Sequence, residues 1–128
     1  SASSQALKVL LKYGADVHAT DRKGQTPLHI ATGLDKNCPA VQVLLEHGAD
    51  VHATDREGQT PLHIASRMDL GLNSEVLNVL LEHGANVHTT EKKGRTPLHF
   101  SVCGDNSKIL LKHGADVNAR DHEGKTAL

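Results

Sequence analysis

One recurring interval limits what this chain can fold into more than any other feature. The motif Gly-Ala-Asp/Asn-Val begins at Gly14, Gly48, Gly84 and Gly114, and a threonine follows each glycine 12 residues later, at Thr26, Thr60, Thr96 and Thr126. Three of these threonines open Thr-Pro-Leu-His (Thr26 to His29, Thr60 to His63, Thr96 to His99), and the fourth opens a truncated Thr126-Ala127-Leu128. A spacing kept four times means a fixed piece of backbone. From threonine on to the next glycine the distance varies, at 22, 24 and 18 residues, so length variation is confined to one segment of the unit. Self-similarity at such a period marks stacked units, none of which can bury its apolar face alone.

The variable segment reads as two short helices. The second is clearest in Val41 to His47, Val76 to His83 and Lys108 to His113, each with a Leu-Leu pair facing inward. Gly14, Gly48, Gly84 and Gly114 then stand where a left-handed C-terminal cap belongs, a conformation that glycine takes without steric cost. Threonine is a good N-cap for the first helix, and the proline after it occupies a position whose N–H has no intrahelical partner; Pro39 suits the same place in a second helix. Each fixed piece carries Asp21, Asp55, Glu91 or Asp121 and then Gly24, Gly58, Gly94 or Gly124, a turn signature that predicts a protruding hairpin.

The period and the Thr-Pro-Leu-His-x-Ala/Ser core resemble ankyrin repeats, and the resemblance covers essentially the whole chain. It implies an all-α repeat solenoid, an ankyrin stack of helix-turn-helix units joined by protruding β-hairpin-like loops. The expected division of the single domain 1–128 is a partial repeat at 1–20, repeats at 21–54 and 55–90, a short repeat at 91–120 and a partial repeat at 121–128. The family's usual period is ~33 residues. Here the threonine-to-threonine steps are 34, 36 and 30. Gly33 to Pro39 and Asp69 to Ser74 are expected to lengthen the loop between helices, where insertion costs little closure entropy. In the third repeat Cys103-Gly104-Asp105-Asn106 leaves little room for a full first helix, so a clipped helix pair is expected. Residues 1 to 13 supply only a second helix (Leu7, Val9, Leu10, Leu11), and 121 to 128 only a turn and the start of a first helix. Terminal repeats need polar outer faces. Neither end has one, so the expectation is an excerpt of a longer chain, with end-to-end self-association through uncapped termini.

Composition narrows the partners. Lys and Arg total 14 against 15 Asp and Glu, so the whole chain has no field that favours nucleic acid or an anionic membrane. Tyr13 and Phe100 are the only aromatic residues, too few for the stacking platforms of single-strand readers, and the core must be aliphatic. No apolar run approaches the ~18 residues of a membrane span, and Ser1, Ser3 and Ser4 begin no signal-peptide core. Cys38 and Cys103 are too few for a disulfide framework and read as buried small hydrophobes in a reducing setting. With no Asn-x-Ser/Thr acceptor present, an intracellular location, cytoplasmic or nuclear, is expected.

Ten histidines raise the question of a metal or of catalysis. The resemblance implies that His29, His63 and His99 each bond their own threonine and nearby backbone, tying repeats together. His18, His52 and His88 stand where the family most often has asparagine, as Asn118 does here, and are expected to bond backbone too. Equivalent residues of successive repeats should lie ~8–10 Å apart, whereas zinc ligands lie ~2 Å from the ion. His47 with His52, or His83 with His88, lacks a third ligand. No Gly-x-Ser-x-Gly, phosphate-cradling glycine loop or His-Glu-x-x-His occurs, so no catalytic residue, metal or cofactor is expected. One modification is implied. Ankyrin repeats resemble substrates of asparaginyl hydroxylase, with a leucine eight residues before the target; Asn118 has Leu110, and His18, His52 and His88 have Leu10, Leu44 and Leu80.

The resemblance therefore implies a non-catalytic protein–protein interaction module, with a protein or peptide held by the hairpin tips and first helices in a concave groove. The free tip positions are Thr20, Arg22, Lys23 and Gln25; Thr54, Arg56, Glu57 and Gln59; Thr90, Lys92, Lys93 and Arg95; Arg120, His122, Glu123 and Lys125. On the first helices they are Gly33, Leu34, Arg67, Met68 and Cys103. The tips hold eight Lys or Arg against two Glu, which favours acidic or phosphorylated segments. Leu34 and Met68 are candidate apolar anchors. Charge reversal at Lys92, Lys93 and Arg95 is expected to weaken binding without lowering the melting temperature. The alternatives on the same fold are an oligomerising spacer and the substrate-recruiting arm of a larger enzyme or adaptor.

Overall fold

A computed structural model describes residues 2–34, 39–67, 74–101 and 104–128. Seven helices lie among them: α1 (Ala2–Lys12), α2 (Pro27–Leu34), α3 (Pro39–Glu46), α4 (Pro61–Arg67), α5 (Glu75–Glu82), α6 (Pro97–Phe100) and α7 (Gly104–Lys112). Helices α2, α4 and α6 open directly at the proline after a threonine. At Thr96 the cap residue is extended, its side chain accepts the His99 N–H, and the His99 ring accepts the Thr96 N–H. The same reciprocal bonds join Thr26 to His29 and Thr60 to His63. Helix ends follow the expected glycines, which take φ of +95° at Gly14 and +88° at Gly48, where any side chain would be strained. A second device was missed in the sequence: His47, His83 and His113 each turn Nδ1 back onto a carbonyl of their own helix, at Val43, Val79 and Ile109.

The helices stack in two registers. α2 packs on α4 and α4 on α6, while each first helix also packs on its own second helix, and α1 packs on α3. Between them runs one aliphatic core. It extends from Val17 through Leu28, Leu44, Leu62, Leu80 and Leu98 to Leu110. Leu28 and Leu62 of the Thr-Pro-Leu-His motif are fully buried, each contributing about 2–3 kcal/mol over an exposed side chain. The core thins at both ends of the stack. Val17, Val51 and Val87 are buried, but the equivalent Val117 is exposed, as are Val9 and Leu10 on α1 and Tyr13 just after it.

The third repeat is clipped as expected, and the structure shows how the gap is closed. Helix α6 is a single turn, ending because Ser101 is extended (φ −71°, ψ 117°). Helix α7 then starts at Gly104, earlier than the expected Lys108, and its first turn carries Asn106 into the core. The Asn106 amide donates to the Ser66 carbonyl at the end of α4, and its oxygen accepts the Ser74 hydroxyl just before α5. One side chain thus ties the start of α7 to the end of α4 and to the residue before α5. Gly33 and Leu34, expected in a lengthened loop, are instead the last residues of α2. Most of the two insertions, and both cysteines, lie outside the described residues.

Candidate functional site

Each hairpin is built around one carboxylate. Asp21 Oδ1 accepts the N–H groups of Lys23 and Gln25, and Asp55 Oδ1 accepts those of Glu57 and Gln59. Asp121 does the same with Glu123 and Lys125, and the Lys125 N–H foremost holds its carboxyl below the ordinary aspartate value. Glycine at the fourth position closes the turn with positive φ, +75° at Gly24 and +78° at Gly58.

Neighbouring hairpins are stitched by main-chain bonds. The Arg56 N–H donates to the Lys23 carbonyl (2.9 Å), Lys92 to Glu57 (3.0 Å) and His122 to Lys93 (2.9 Å). A side chain at Gly24 or Gly58 would run into the next hairpin's backbone, so glycine permits this approach. A second tie comes from below. In the Thr-Pro-Leu-His motifs Nδ1 accepts the threonine N–H, so the proton sits on Nε2, which donates across the repeat boundary. His29 bonds the Gln59 carbonyl, His63 the Arg95 carbonyl and His99 the Lys125 carbonyl. The tips are therefore one ribbon with fixed spacing.

Fixed spacing turns equivalent positions into rows. Arg22, Arg56, Lys92 and His122 form one exposed row without a carboxylate; Lys23, Glu57, Lys93 and Glu123 form the next, with alternating sign. Thr20, Thr54, Thr90 and Arg120 are exposed beside them, and Gln25 and Gln59 are half-buried. On the first helices Leu34 (77% exposed) and Arg67 face solvent, whereas Gly33 is half-buried against Ile64. Met68 and Cys103 lie outside the described residues.

Arg95 departs from its expected freedom. Its guanidinium pairs with Glu91 at 3.2 Å and lies 4.5 Å over the Phe100 ring, while its carbonyl receives His63. Phe100 in turn meets the His63 ring edge-on, with centroids 5.4 Å apart. Glu91, only 5% exposed, also accepts the N–H groups of Lys93 and Arg95. Burial pushes its carboxyl up, but the Arg95 bonds outweigh that and hold it below the ordinary glutamate value. Charge reversal at Arg95 must therefore disturb the fold, and a surface test is confined to Lys92 and Lys93. Glutamate in place of aspartate, together with arginine and phenylalanine nearby, was the available sequence signal.

His18, His52 and His88 also differ from expectation. Their backbone N–H groups donate to Asp16, Asp50 and Asn86, and the Asn118 N–H donates to Asp116; among the described residues no ring bond is formed. Asn118 is exposed and Leu110 fully buried. No group of three His, Cys, Asp or Glu is arranged to hold a metal among the described residues, and no helix there is long and apolar enough to cross a membrane.

The family model described as ankyrin repeats (3 copies) matches residues 1–91 and 71–128. The chain belongs to the ankyrin-repeat family. Among curated proteins, this ankyrin chain is similar to protein phosphatase 1 regulatory subunit 27 of Homo sapiens and of Mus musculus, 55% identical to each over 31 residues. That segment is 24% of the ankyrin chain and 20% of each relative, about one repeat's length.

Proposed function

We propose that this ankyrin domain is a non-catalytic, intracellular module that holds an acidic protein or peptide against its hairpin tips and first helices. The observation that carries this reading is the row Arg22, Arg56, Lys92 and His122, held at fixed spacing by the tip ribbon while the chain as a whole is near neutral. The carboxylates Asp21, Asp55, Glu91 and Asp121 each hold their own turn, and among the described residues none forms an ion pair with the row. Such a row favours an extended segment with acidic side chains, recognised through charge-assisted hydrogen bonds. The exposed Leu34, at the far end of α2 from the hairpin, offers an apolar anchor. Ankyrin repeats mediate protein–protein interaction as a family, and the relatives named above are regulatory subunits, which agrees with a role without chemistry.

Affinity capture with the wild type beside Arg22→Glu/Arg56→Glu/Lys92→Glu tests the proposal. The polypeptides recovered by the wild type should be lost from a variant whose melting temperature is unchanged. Equal recovery would remove the tips from the binding surface.

A second reading, an end-to-end spacer, rests on exposed Val9, Leu10 and Tyr13 at one end and Leu111 and Val117 at the other. A molecular mass that stays monomeric as concentration rises in sedimentation would count against it.

A further inference from the structure

The gap between the third and fourth hairpins differs from the others in chemistry. Lys93 stands where the second hairpin has Glu57 and the first has Lys23, and Lys125 where the first two have Gln25 and Gln59. Together with Lys92 they line an open cleft of about 500 Å³ that also reaches Arg95, Asp121 and Glu123. Two acids share the cleft with them. Asp121 Oδ1 is held by two backbone N–H groups, and Glu123 meets only the Lys125 ammonium at 3.2 Å, in a pair with both side chains more than two-thirds exposed. Lys92 and Lys93 form no ion pair among the described residues. The walls are held apart at a set distance by the His122 N–H bond to the Lys93 carbonyl, and the His122 ring covers Gly94 where a side chain would otherwise stand.

From this arrangement we infer that the cleft is a phosphate subsite, taking the phosphoryl group of a phosphoserine or phosphothreonine in the bound peptide. The inference rests on the acidic-partner reading above and sharpens it. The Arg95 guanidinium, whose planar fork could take a carboxylate or a phosphate alike, is already held by Glu91 and Phe100. What remains free are ammonium groups, compact point charges on flexible stems that can close around a tetrahedral dianion from several sides. A phosphoryl group brings close to two negative charges and three acceptor oxygens, and so answers Lys92, Lys93 and a Lys125 released from its exposed partner. A single glutamate offers half that charge.

The test is fluorescence anisotropy with a short labelled peptide bearing a central phosphothreonine, beside its central-glutamate counterpart, at physiological salt. The phosphopeptide should bind at least about tenfold tighter than the glutamate peptide, and inorganic phosphate should displace it. Lys92→Gln/Lys93→Gln should lose about tenfold or more with an unchanged melting temperature, whereas Lys8→Gln/Lys112→Gln, at exposed lysines of α1 and α7, should keep the affinity. Absent phosphopeptide binding, equal binding of both peptides, or equal loss in the two variants would overturn the subsite. So would Lys92- and Lys93-dependent sedimentation with phosphatidic acid vesicles when the phosphopeptide does not bind. Failure of the phosphate preference while captured partners are still lost from the tip-row variant would leave the acidic-partner reading standing.

Discussion

The Nε2 of His63 stands 2.9 Å from the carbonyl oxygen of Arg95, so one imidazole ties the second repeat to the third hairpin. Its Nδ1 meanwhile accepts the Thr60 N–H, which makes the ring a neutral bridge with both nitrogens used. His63→Ala removes the bridge, opens a cavity and leaves the buried Thr60 N–H without its partner. The expected loss is about 2–4 kcal/mol of unfolding free energy in urea. A loss under about 1 kcal/mol would show that the bridge is dispensable.

Acid should loosen the stack through the same ring. Burial holds the His63 pKa below its ordinary value of 6.5, against the raising influence of the Arg95 carbonyl and of Glu91 and Asp55. The unfolded chain therefore binds a proton at higher pH than the folded one. Stability from this group is complete above pH 6.5 and is lost as pH falls toward and through the folded value. Glu91 has a depressed pKa too, so its contribution is present above its ordinary value of 4.5 and is lost at lower pH. Melting temperature should fall in two stages, the first beginning near neutral pH. A flat profile between pH 7.5 and 5, values chosen to bracket the ordinary histidine range of ~6.5, would contradict the first stage.

Arg95 and Lys92 should separate cleanly although both are cations of one hairpin. Arg95→Glu sets a second carboxylate against buried Glu91 and removes the cation over Phe100, at an expected cost of about 2–4 kcal/mol. Lys92→Glu touches neither, and its effect on stability should stay within about 0.5 kcal/mol. Similar values for the two in urea unfolding would refute the difference.

Asn106 is the price of a clipped repeat. Asn106→Ala strips the Ser66 carbonyl and the Ser74 hydroxyl of a shared partner, and should cost about 2–3 kcal/mol. Amide hydrogen exchange should rise most at the start of α5 and α7. Uniform exchange across the stack would argue against a local latch.

Reading the sequence reached the parts of the fold that repeat. Gly14, Thr26 and Pro27 have local reasons for their places, a positive φ, a cap and a missing N–H, and those reasons recur in register. What escaped were contacts between residues distant in sequence or without a counterpart in other repeats. Asn106 reads as one more polar residue in a short loop, because nothing local says that it will reach Ser66 some 40 residues away. Arg95 occupies a position that is glutamine in the first two hairpins, so the repeat pattern marks it as free; Glu91 and Phe100, each peculiar to that repeat, engage its guanidinium and leave it only partly exposed. The tip row was legible as residues, but its alignment depends on the main-chain bonds between hairpins, which no side-chain pattern announces.

The central claim is that the cationic tip row, and not the chain's charge at large, holds the partner. Its most direct measurement is recovery of captured polypeptide across a salt series for three proteins: wild type, Arg22→Glu/Arg56→Glu/Lys92→Glu, and Lys8→Glu/Lys112→Glu, whose exposed lysines lie on α1 and α7 away from the tips. The account predicts recovery that falls steeply with salt for the wild type and for the Lys8/Lys112 variant, and little recovery at any salt for the tip variant. Equal losses in both variants, or full recovery by the tip variant, would contradict it.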